Sequence, residues 1–283
     1  MNEEVFKAVT ETLSQGDSAA LVTIIRTEGS TPQRVGAKML VFADGRTVGT
    51  IGGGCYENDA FWKARKSLET RRSQVVRYEL ADDIAEESGL ICGGQMEVYI
   101  EPLDAAAHLY LIGAGHVSYH LAQAASQVNF KIHVLDDREK FANQERFPDA
   151  TEIAVDDIPS WLTSATFPNN AYVVILTRGH THDLDALRAL VPRDLRYLGL
   201  IGSRAKVARL YAALQEESVP LDTLTNVHAP VGLDIGAVSP QEIAISILAE
   251  LIAVKYGKVA DVAPLRWAPG IDHTTPVAAN EQQ

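Results

Sequence analysis

From Leu109 onwards, short apolar runs alternate with segments of helical pattern, and this alternation constrains the fold more than any other feature of the sequence. It predicts an α/β unit with a parallel, doubly wound sheet, because each helix returns the chain to the same end of the sheet. The predicted strands are Leu109–Ile112, Lys131–Leu135, Tyr172–Leu176 and Arg196–Ile201. The predicted helices are His116–Gln127, Leu184–Val191, Arg204–Gln215 and a last one near 239–255, which starts with the capping sequence Ser-Pro-Gln-Glu.

The first hundred residues follow a different pattern, in which strands outnumber helices, and this favours a small α+β domain. The predicted strands are Ala20–Thr27, Ala37–Phe42, Arg46–Ile51, Gln74–Leu80 and Gln95–Ile100. The predicted helices are Glu4–Ser14 and Glu57–Thr70. We place the boundary near Glu101-Pro-Leu-Asp104. The prediction is therefore an N-terminal α+β domain over 1–104, a Rossmann-like domain over 105–267 and a flexible tail over 268–283.

Charge and hydropathy patterning exclude two classes of partner. The net charge of −12 opposes binding to nucleic acid and to anionic membranes. No apolar run approaches the ~20 residues that span a bilayer. The first seven residues lack the basic start and apolar run of a signal peptide. We therefore expect a cytoplasmic protein with free thiols, and neither nucleic acid nor membrane as a partner.

The chain has two cysteines, Cys55 and Cys92, and both have glycines beside them. Cys55 is preceded by Gly52, Gly53 and Gly54. Glycine lets a ligand approach the backbone, so either sulfur could bind a soft metal or exchange sulfur. The dipole of the following helix would favour a Cys55 thiolate, although Glu57 works against this. The alternative is that each cysteine is a small buried apolar residue.

Four loops that directly follow predicted strands are rich in glycine or polar residues, and in an open parallel sheet such loops line the ligand crevice. Gly-Ala-Gly-His at 113–116 is similar to the phosphate-binding turn of a dinucleotide fold, although Ser118 replaces the third small residue. An acid at the end of the next strand, here Asp136, would bind a ribose hydroxyl. The candidate binding residues are Gly113, Gly115, His116, Asp136, Arg138, Arg178, His180, Ser203 and Arg204. The alternative is that the glycines only close the first turn around an empty crevice.

The segment Arg178-Gly-His-Thr-His-Asp183 offers imidazole and carboxylate groups that could bind zinc or iron. No distant third or fourth ligand accompanies it in the sequence, and Asp183 could simply cap the following helix. We therefore favour His180 as a hydrogen-bonding residue of the crevice over a dedicated metal site.

Together these segments resemble the XdhC/CoxI-type xanthine dehydrogenase accessory proteins over most of the chain. The resemblance rests on Gly29-Ser-Thr-Pro32 with Gly36-Ala37, Gly49–Glu57, Cys92-Gly-Gly94 with Glu101-Pro102, Gly113–Val117, Asp136-Asp-Arg138, Arg146-Phe-Pro148, Thr177–His180, Gly199–Arg204, Pro230–Gly236 and the Ser239–Glu250 helix. So many blocks in one order form a more specific signature than any single motif.

The resemblance implies a maturation factor rather than a catalyst, so no catalytic residue is predicted. Such proteins bind the molybdenum cofactor (molybdopterin), protect it while its terminal sulfur is installed, and deliver it to xanthine dehydrogenase or a related molybdenum hydroxylase. A homodimer is implied, and a cysteine desulfurase is a candidate partner. Cys55 is carried over as the contact to the molybdenum of this cargo, with Cys92 as a second candidate.

Two other functions stay open at this point. One is an NAD(P)-dependent oxidoreductase whose nucleotide lies in a crevice with His116 and His180, although fold alone does not establish such a function. The other is an interaction protein that uses an empty crevice as a docking surface. A carrier should hold molybdenum through Cys55, an oxidoreductase should bind nicotinamide whatever residue stands there, and a docking module should do neither.

Overall fold

The computed structural model describes residues 2–80, 94–259 and Val262, so Cys92 and the predicted tail over 268–283 lie outside the described residues. The chain forms two compact units, Met1–Ala106 and Ala107–Gln283. Among the described helices none combines the length and apolar character needed to cross a membrane.

The first unit is built on an antiparallel sheet. Its strands are β1 (Ser18–Glu28), β2 (Lys38–Phe42), β3 (Thr47–Gly49), β4 (Gln74–Glu79) and β5 (Gln95–Asp104), and its helices are α1 (Asn2–Ser14) and α2 (Gly54–Thr70). The strand order is β3-β2-β1-β5-β4. Alternate residues of β1 point to opposite faces, so Leu21 packs with Val5 of α1 while Val22 packs with Ala60 of α2. The sheet therefore lies between the two helices.

The second unit has a parallel sheet with helices on both faces, which confirms the predicted fold class. Its strands are β6 (His108–Ile112), β7 (Lys131–Asp136), β8 (Ala150–Val155), β9 (Ala171–Ile175) and β10 (Tyr197–Leu200). Its helices are α3 (His116–Ser126), α4 (Ile158–Ser164), α5 (His180–Leu190), α6 (Arg204–Glu216), α7 (Leu221–Leu224) and α8 (Pro240–Lys255). The strand order β10-β9-β6-β7-β8 is that of a Rossmann-like sheet.

Each face of this sheet has its own apolar core. Leu109 and Leu111 of β6 pack with residues of α3 and α8, whereas Tyr110 and Ile112 pack with residues of α4, α5 and α6. The helix α8 begins as predicted, with Ser239 as N-cap in a capping box with Glu242.

The structure differs from the predicted elements at β5, β8, α4 and α5. Residues 101–104, next to the predicted domain boundary, continue β5 beyond its predicted end at Ile100 and pair with residues 18–21 of β1. The strand β8 and the helix α4 were not predicted, because β8 is a half-exposed edge strand and α4 has only 7 residues. The helix α5 begins at His180 instead of Leu184, because its first turn is polar and adds nothing to the apolar periodicity.

Candidate functional site

Cys55 is exposed at the start of α2, in a turn over residues 50–55 that we call the cysteine turn. Gly52, Gly53 and Gly54 have φ angles of 129°, 77° and 70°, which L side chains rarely adopt. A Cβ on Gly52 would lie 2.6 Å from Cγ of Pro32, whereas one on Gly53 would meet nothing within 4 Å. The turn thus packs against the Pro32 loop and leaves its backbone open beside Cys55, which is not the buried apolar residue of the alternative interpretation.

Glu57 holds the backbone donors of the cysteine turn. Its Oε2 accepts hydrogen bonds from the N–H of Ile51 at 2.9 Å and of Gly53 at 3.0 Å, and the hydroxyl of Thr50 also donates to it. Burial alone would raise the pKa of Glu57, but these hydrogen bonds outweigh it and place the pKa below its ordinary value of 4.5. Glu57 therefore occupies two of the amides that an anionic ligand group would otherwise bind beside Cys55.

We expect Glu57→Gln to lower the free energy of unfolding of the first unit at pH 7 by about 2 kcal/mol, because it removes charge-assisted hydrogen bonds. The folded-state pKa of Glu57 is lowered, so its contribution is present above pH 4.5 and disappears as the pH falls through the folded pKa. Urea unfolding at pH 7 and at pH 3 should therefore show a smaller difference between variant and wild type at the lower pH. Glu69→Gln, at an exposed site of the same helix, is the control; an equal loss there would contradict this role of Glu57.

The loop at 29–32 contacts both the cysteine turn and Gly94, which lies two residues after the second cysteine. The N–H of Leu80 donates to the carbonyl of Gly94 at 2.8 Å. A Cβ on Gly94 would collide with the carbonyl oxygen of Ser30, and Pro32 of the same loop packs against Gly52. Three of the sequence blocks are therefore joined in this part of the first unit.

In the second unit, the carboxyl ends of the parallel strands form one edge, and the strand order reverses between β6 and β9. Gly113 follows β6 with φ 105°, and its N–H donates to the carbonyl of Leu135 at 2.7 Å. A Cβ there would lie 2.6 Å from the carbonyl oxygen of Leu176, so this turn requires glycine. The hydroxyl of the buried Ser118 donates to the carbonyl of Gly113. Ser118, which stands where a dinucleotide-binding turn has its third small residue, thus stabilises the turn.

Asp136 ends β7 as predicted, but its carboxylate has partners within the protein. The N–H of Ala114 donates to it at 2.7 Å, and the guanidinium of Arg138 donates to its two oxygens at 2.7 Å and 2.9 Å. Burial would raise the pKa of Asp136, but Arg138 and the N–H of Ala114 outweigh burial and lower it. A ribose hydroxyl would have to compete with these bonds.

Arginine side chains surround the glycine turn of this edge. Arg178, after β9, donates to Asp137, after β7, at 2.8 Å, so this ion pair joins the ends of strands that lie on either side of β6. Arg146 donates to the carbonyl of Ala114 at 2.9 Å. With Arg138, three guanidinium groups face two aspartates, which leaves an excess of positive charge in a chain of net charge −12.

The helices α3, α5 and α6 all begin at this edge, with Gly115, Gly179 and Ser203 as N-caps. A Cβ on Gly115 or Gly179 would meet nothing within 4 Å, and their φ angles of −71° and −155° suit any residue. The fold therefore does not itself require these two glycines. The first helical residues are His116, His180 and Arg204. A base at a helix N-terminus opposes the helix dipole, which favours anions there, so open backbone and basic side chains together suit a phosphate group.

The histidines of α5 do not build a metal site in the described part of the chain. Asp183 is fully buried, accepts a hydrogen bond from the hydroxyl of Thr177 at 2.7 Å and lies 2.5 Å from Nζ of Lys206. Gly179, not Asp183, caps the helix. No group of three or more His, Cys, Asp or Glu side chains within residues 2–80 and 94–259 could hold a metal ion.

Comparison with protein-family models matches both units of the chain. Residues 109–251 match the model described as the XdhC Rossmann domain, and residues 12–79 match the XdhC and CoxI family. The chain belongs to the XdhC and CoxI family. The resemblance seen in the sequence is thereby confirmed.

Three relatives illustrate the range of this family. The chain is 36% identical to the uncharacterized protein YqeB of Escherichia coli K12 over 89% of its own length, but it spans only 46% of that protein. It is 25% identical to the molybdenum cofactor insertion chaperone PaoD of the same organism, over 91% of this chain and 90% of that one. A crystal structure described as a xanthine dehydrogenase from Bacillus halodurans matches with a TM-score of 0.51 and 25% identity, over 90% of this chain and 96% of that one.

This XdhC and CoxI family member also contains a buried polar network that the sequence analysis missed. Glu250 of α8 is fully buried and accepts hydrogen bonds from the hydroxyl of Tyr197 at 2.6 Å and from the N–H of Gly232 at 2.7 Å. Its other oxygen lies 2.7 Å from Nδ1 of His228. The signal was present in the sequence as one acid within an apolar helix, because such an acid must find partners when it is buried.

Proposed function

We propose that this protein binds the molybdenum cofactor as cargo, protects it, and inserts it into xanthine dehydrogenase or a related molybdenum hydroxylase. Membership of the XdhC and CoxI family supports this proposal, as does a relative that is a molybdenum cofactor insertion chaperone. The observation that carries it is the exposed Cys55 in the cysteine turn. A thiolate is a suitable ligand for soft metal and sulfur chemistry.

In this proposal the sulfur of Cys55 contacts the molybdenum centre of the cargo. Gly53 leaves space for a bulky ligand next to the sulfur, because a Cβ there would meet no atom of the described residues within 4 Å. Glu57 already binds the amides of Ile51 and Gly53, so the soft ligand that the turn offers to a cargo is the sulfur of Cys55. Cys92 stays a second candidate contact, since the described Gly94, two residues after it, packs against the loop that also contacts the cysteine turn.

The Rossmann-like unit would bind a phosphate-bearing ligand, either the cargo or a separate nucleotide. The open N-caps at Gly115 and Gly179 support this role, because none of the residues that the structure describes requires glycine there. The arginines at the same sheet edge provide the positive charge that a phosphate needs. The remaining candidate contacts, Arg138, Arg178, Ser203 and Arg204, belong to this crevice as well.

An NAD(P)-dependent oxidoreductase is the second candidate, and the Rossmann-like strand order favours it. The engagement of Asp136 with Ala114 and Arg138 speaks against it, because the acid that would bind a ribose hydroxyl already has partners. A homodimer and a cysteine desulfurase as sulfur donor remain part of the proposal, as does action in the cytoplasm.

Molybdenum and pterin content after anaerobic purification tests this function. We expect near-stoichiometric cargo on wild-type protein from a host that makes the cofactor, and a loss of at least about tenfold in Cys55→Ser, because a hydroxyl is a poor ligand for a soft metal. Asn58→Ala, exposed about one turn further along α2, is the matched control and should keep its cargo.

Two outcomes would overturn the proposal. Equal molybdenum in Cys55→Ser and wild type would remove Cys55 from the cargo site. A wild-type protein without molybdenum despite a supplied cofactor, combined with tight nicotinamide binding that ignores the Cys55 substitution, would favour the oxidoreductase.

A further inference from the structure

Trp62 is exposed on the same face of α2 as Cys55. Its side chain is 60% exposed, and the seven-residue spacing from Cys55 corresponds to about two helical turns, or about 10 Å along the axis. The opposite face of the helix carries the buried residues Ala60, Ala64 and Ser67. The Trp62 face is thus directed away from the core, and cargo binding at Cys55 gives the indole no role.

Neighbouring side chains hold this exposed indole in place. The ring of Phe61 meets it edge to face at a centroid distance of 5.2 Å, and the guanidinium of Arg65 lies 6.0 Å from its centroid. Tryptophan and arginine are among the residue types most enriched at the energetic centres of protein interfaces. The local structure therefore points to a protein partner.

Two cations lie within about one helical turn of Trp62, Arg65 and Lys66, and neither is paired with an acid among the described residues. Lys63 is paired with Asp59 and Arg71 with Asp104, and the exposed Glu69 lies two turns further along the same face. This charge favours an acidic partner surface.

We infer that Trp62 and Lys66 form a docking surface for an acidic face of the hydroxylase that receives the cargo. The inference rests on the proposed function, because an acceptor must approach the side of α2 on which Cys55 is exposed. A second copy of this chain fits less well, since its docking here would close the side of α2 that an acceptor has to approach. It would also cover Cys55.

Binding to an apo hydroxylase tests the docking surface. The probe is a xanthine dehydrogenase-type hydroxylase purified from a host that cannot make the cofactor, and its affinity for the carrier is measured by biolayer interferometry. We expect Trp62→Ala to weaken binding by at least about tenfold, as truncation of an interface centre does. Lys66→Glu should also weaken binding and reduce its salt dependence. Val75→Ala is the matched control, because its side chain is 59% exposed on β4, and it should bind as wild type does.

The molybdenum content of the same variants separates this inference from the proposed function. We expect Trp62→Ala to keep its cargo and Cys55→Ser to lose cargo while it still docks to the apo hydroxylase. Three results would overturn the docking surface. The first is wild-type affinity of Trp62→Ala for the apo hydroxylase, and the second is no binding of the hydroxylase by the wild-type carrier. The third is a Trp62→Ala variant that loses affinity for a cysteine desulfurase but keeps its affinity for the hydroxylase. A change of oligomeric state in Trp62→Ala would assign the face to a second copy of the chain instead.

Discussion

Glu250→Ala is expected to lower the free energy of unfolding of the Rossmann-like unit by about 3–5 kcal/mol, the usual cost of removing one member of a buried polar or ionic cluster. Glu250 is fully buried, and its two oxygens serve Tyr197, Gly232 and His228 at 2.6–2.7 Å. Truncation leaves a buried hydroxyl, a buried amide and an imidazole nitrogen without their acceptor. The lost packing in the apolar core around α8 adds to this cost.

Urea unfolding followed by circular dichroism measures the effect. Glu242→Ala is the matched control, because it removes the same residue type from an exposed position of the same helix and costs only the capping box, about 1 kcal/mol. Tyr197→Phe removes a single donor and should cost about 1 kcal/mol. If Glu250→Ala lowered the transition no further than Glu242→Ala does, the buried network would not stabilise the unit.

The sequence was sufficient for the fold class because burial of one face of a strand or a long helix gives its apolar residues a regular spacing. It placed β6, β7 and β9 to within one residue, and it placed the start of α8 from its capping box. The sequence did not predict elements whose residues are half exposed or polar, because these lack a regular apolar spacing. The edge strand β8 is half exposed, and the first turn of α5 is polar because its side chains lie at the sheet edge.

Parts of the candidate site were predictable from glycine and cysteine positions, and parts were not. The place of Cys55 near a helix N-terminus was predicted from the three glycines before it, whereas its exposure and the positive φ of those glycines are seen only in the structure. The internal partners of Glu57 and Asp136 do not follow from it. Each carboxylate binds backbone amides that the chain brings together only after folding, so the sequence could not show that these anion positions are filled from within.

Gly113→Ala should destabilise the Rossmann-like unit by about 3 kcal/mol, because strain and overlap combine there. The φ of 105° is unfavourable for any L side chain. The new Cβ would also lie 2.6 Å from the carbonyl oxygen of Leu176. The N–H of Leu176 donates to the carbonyl of Ile112 at 2.7 Å. Moving the carbonyl of Leu176 away from the new Cβ would strain this hydrogen bond.

Gly115→Ala, two residues further on, is the matched control for this prediction. Its φ is −71° and its new Cβ would meet nothing within 4 Å, so the unfolding transition should move by no more than about 0.5 kcal/mol. If Gly113→Ala and Gly115→Ala lowered the free energy of unfolding equally, the contact with the carbonyl of Leu176 would not be the reason for glycine at 113. A stable Gly115→Ala variant with weakened binding of a phosphate-bearing ligand would assign this second glycine to ligand approach, because nothing within the fold demands it.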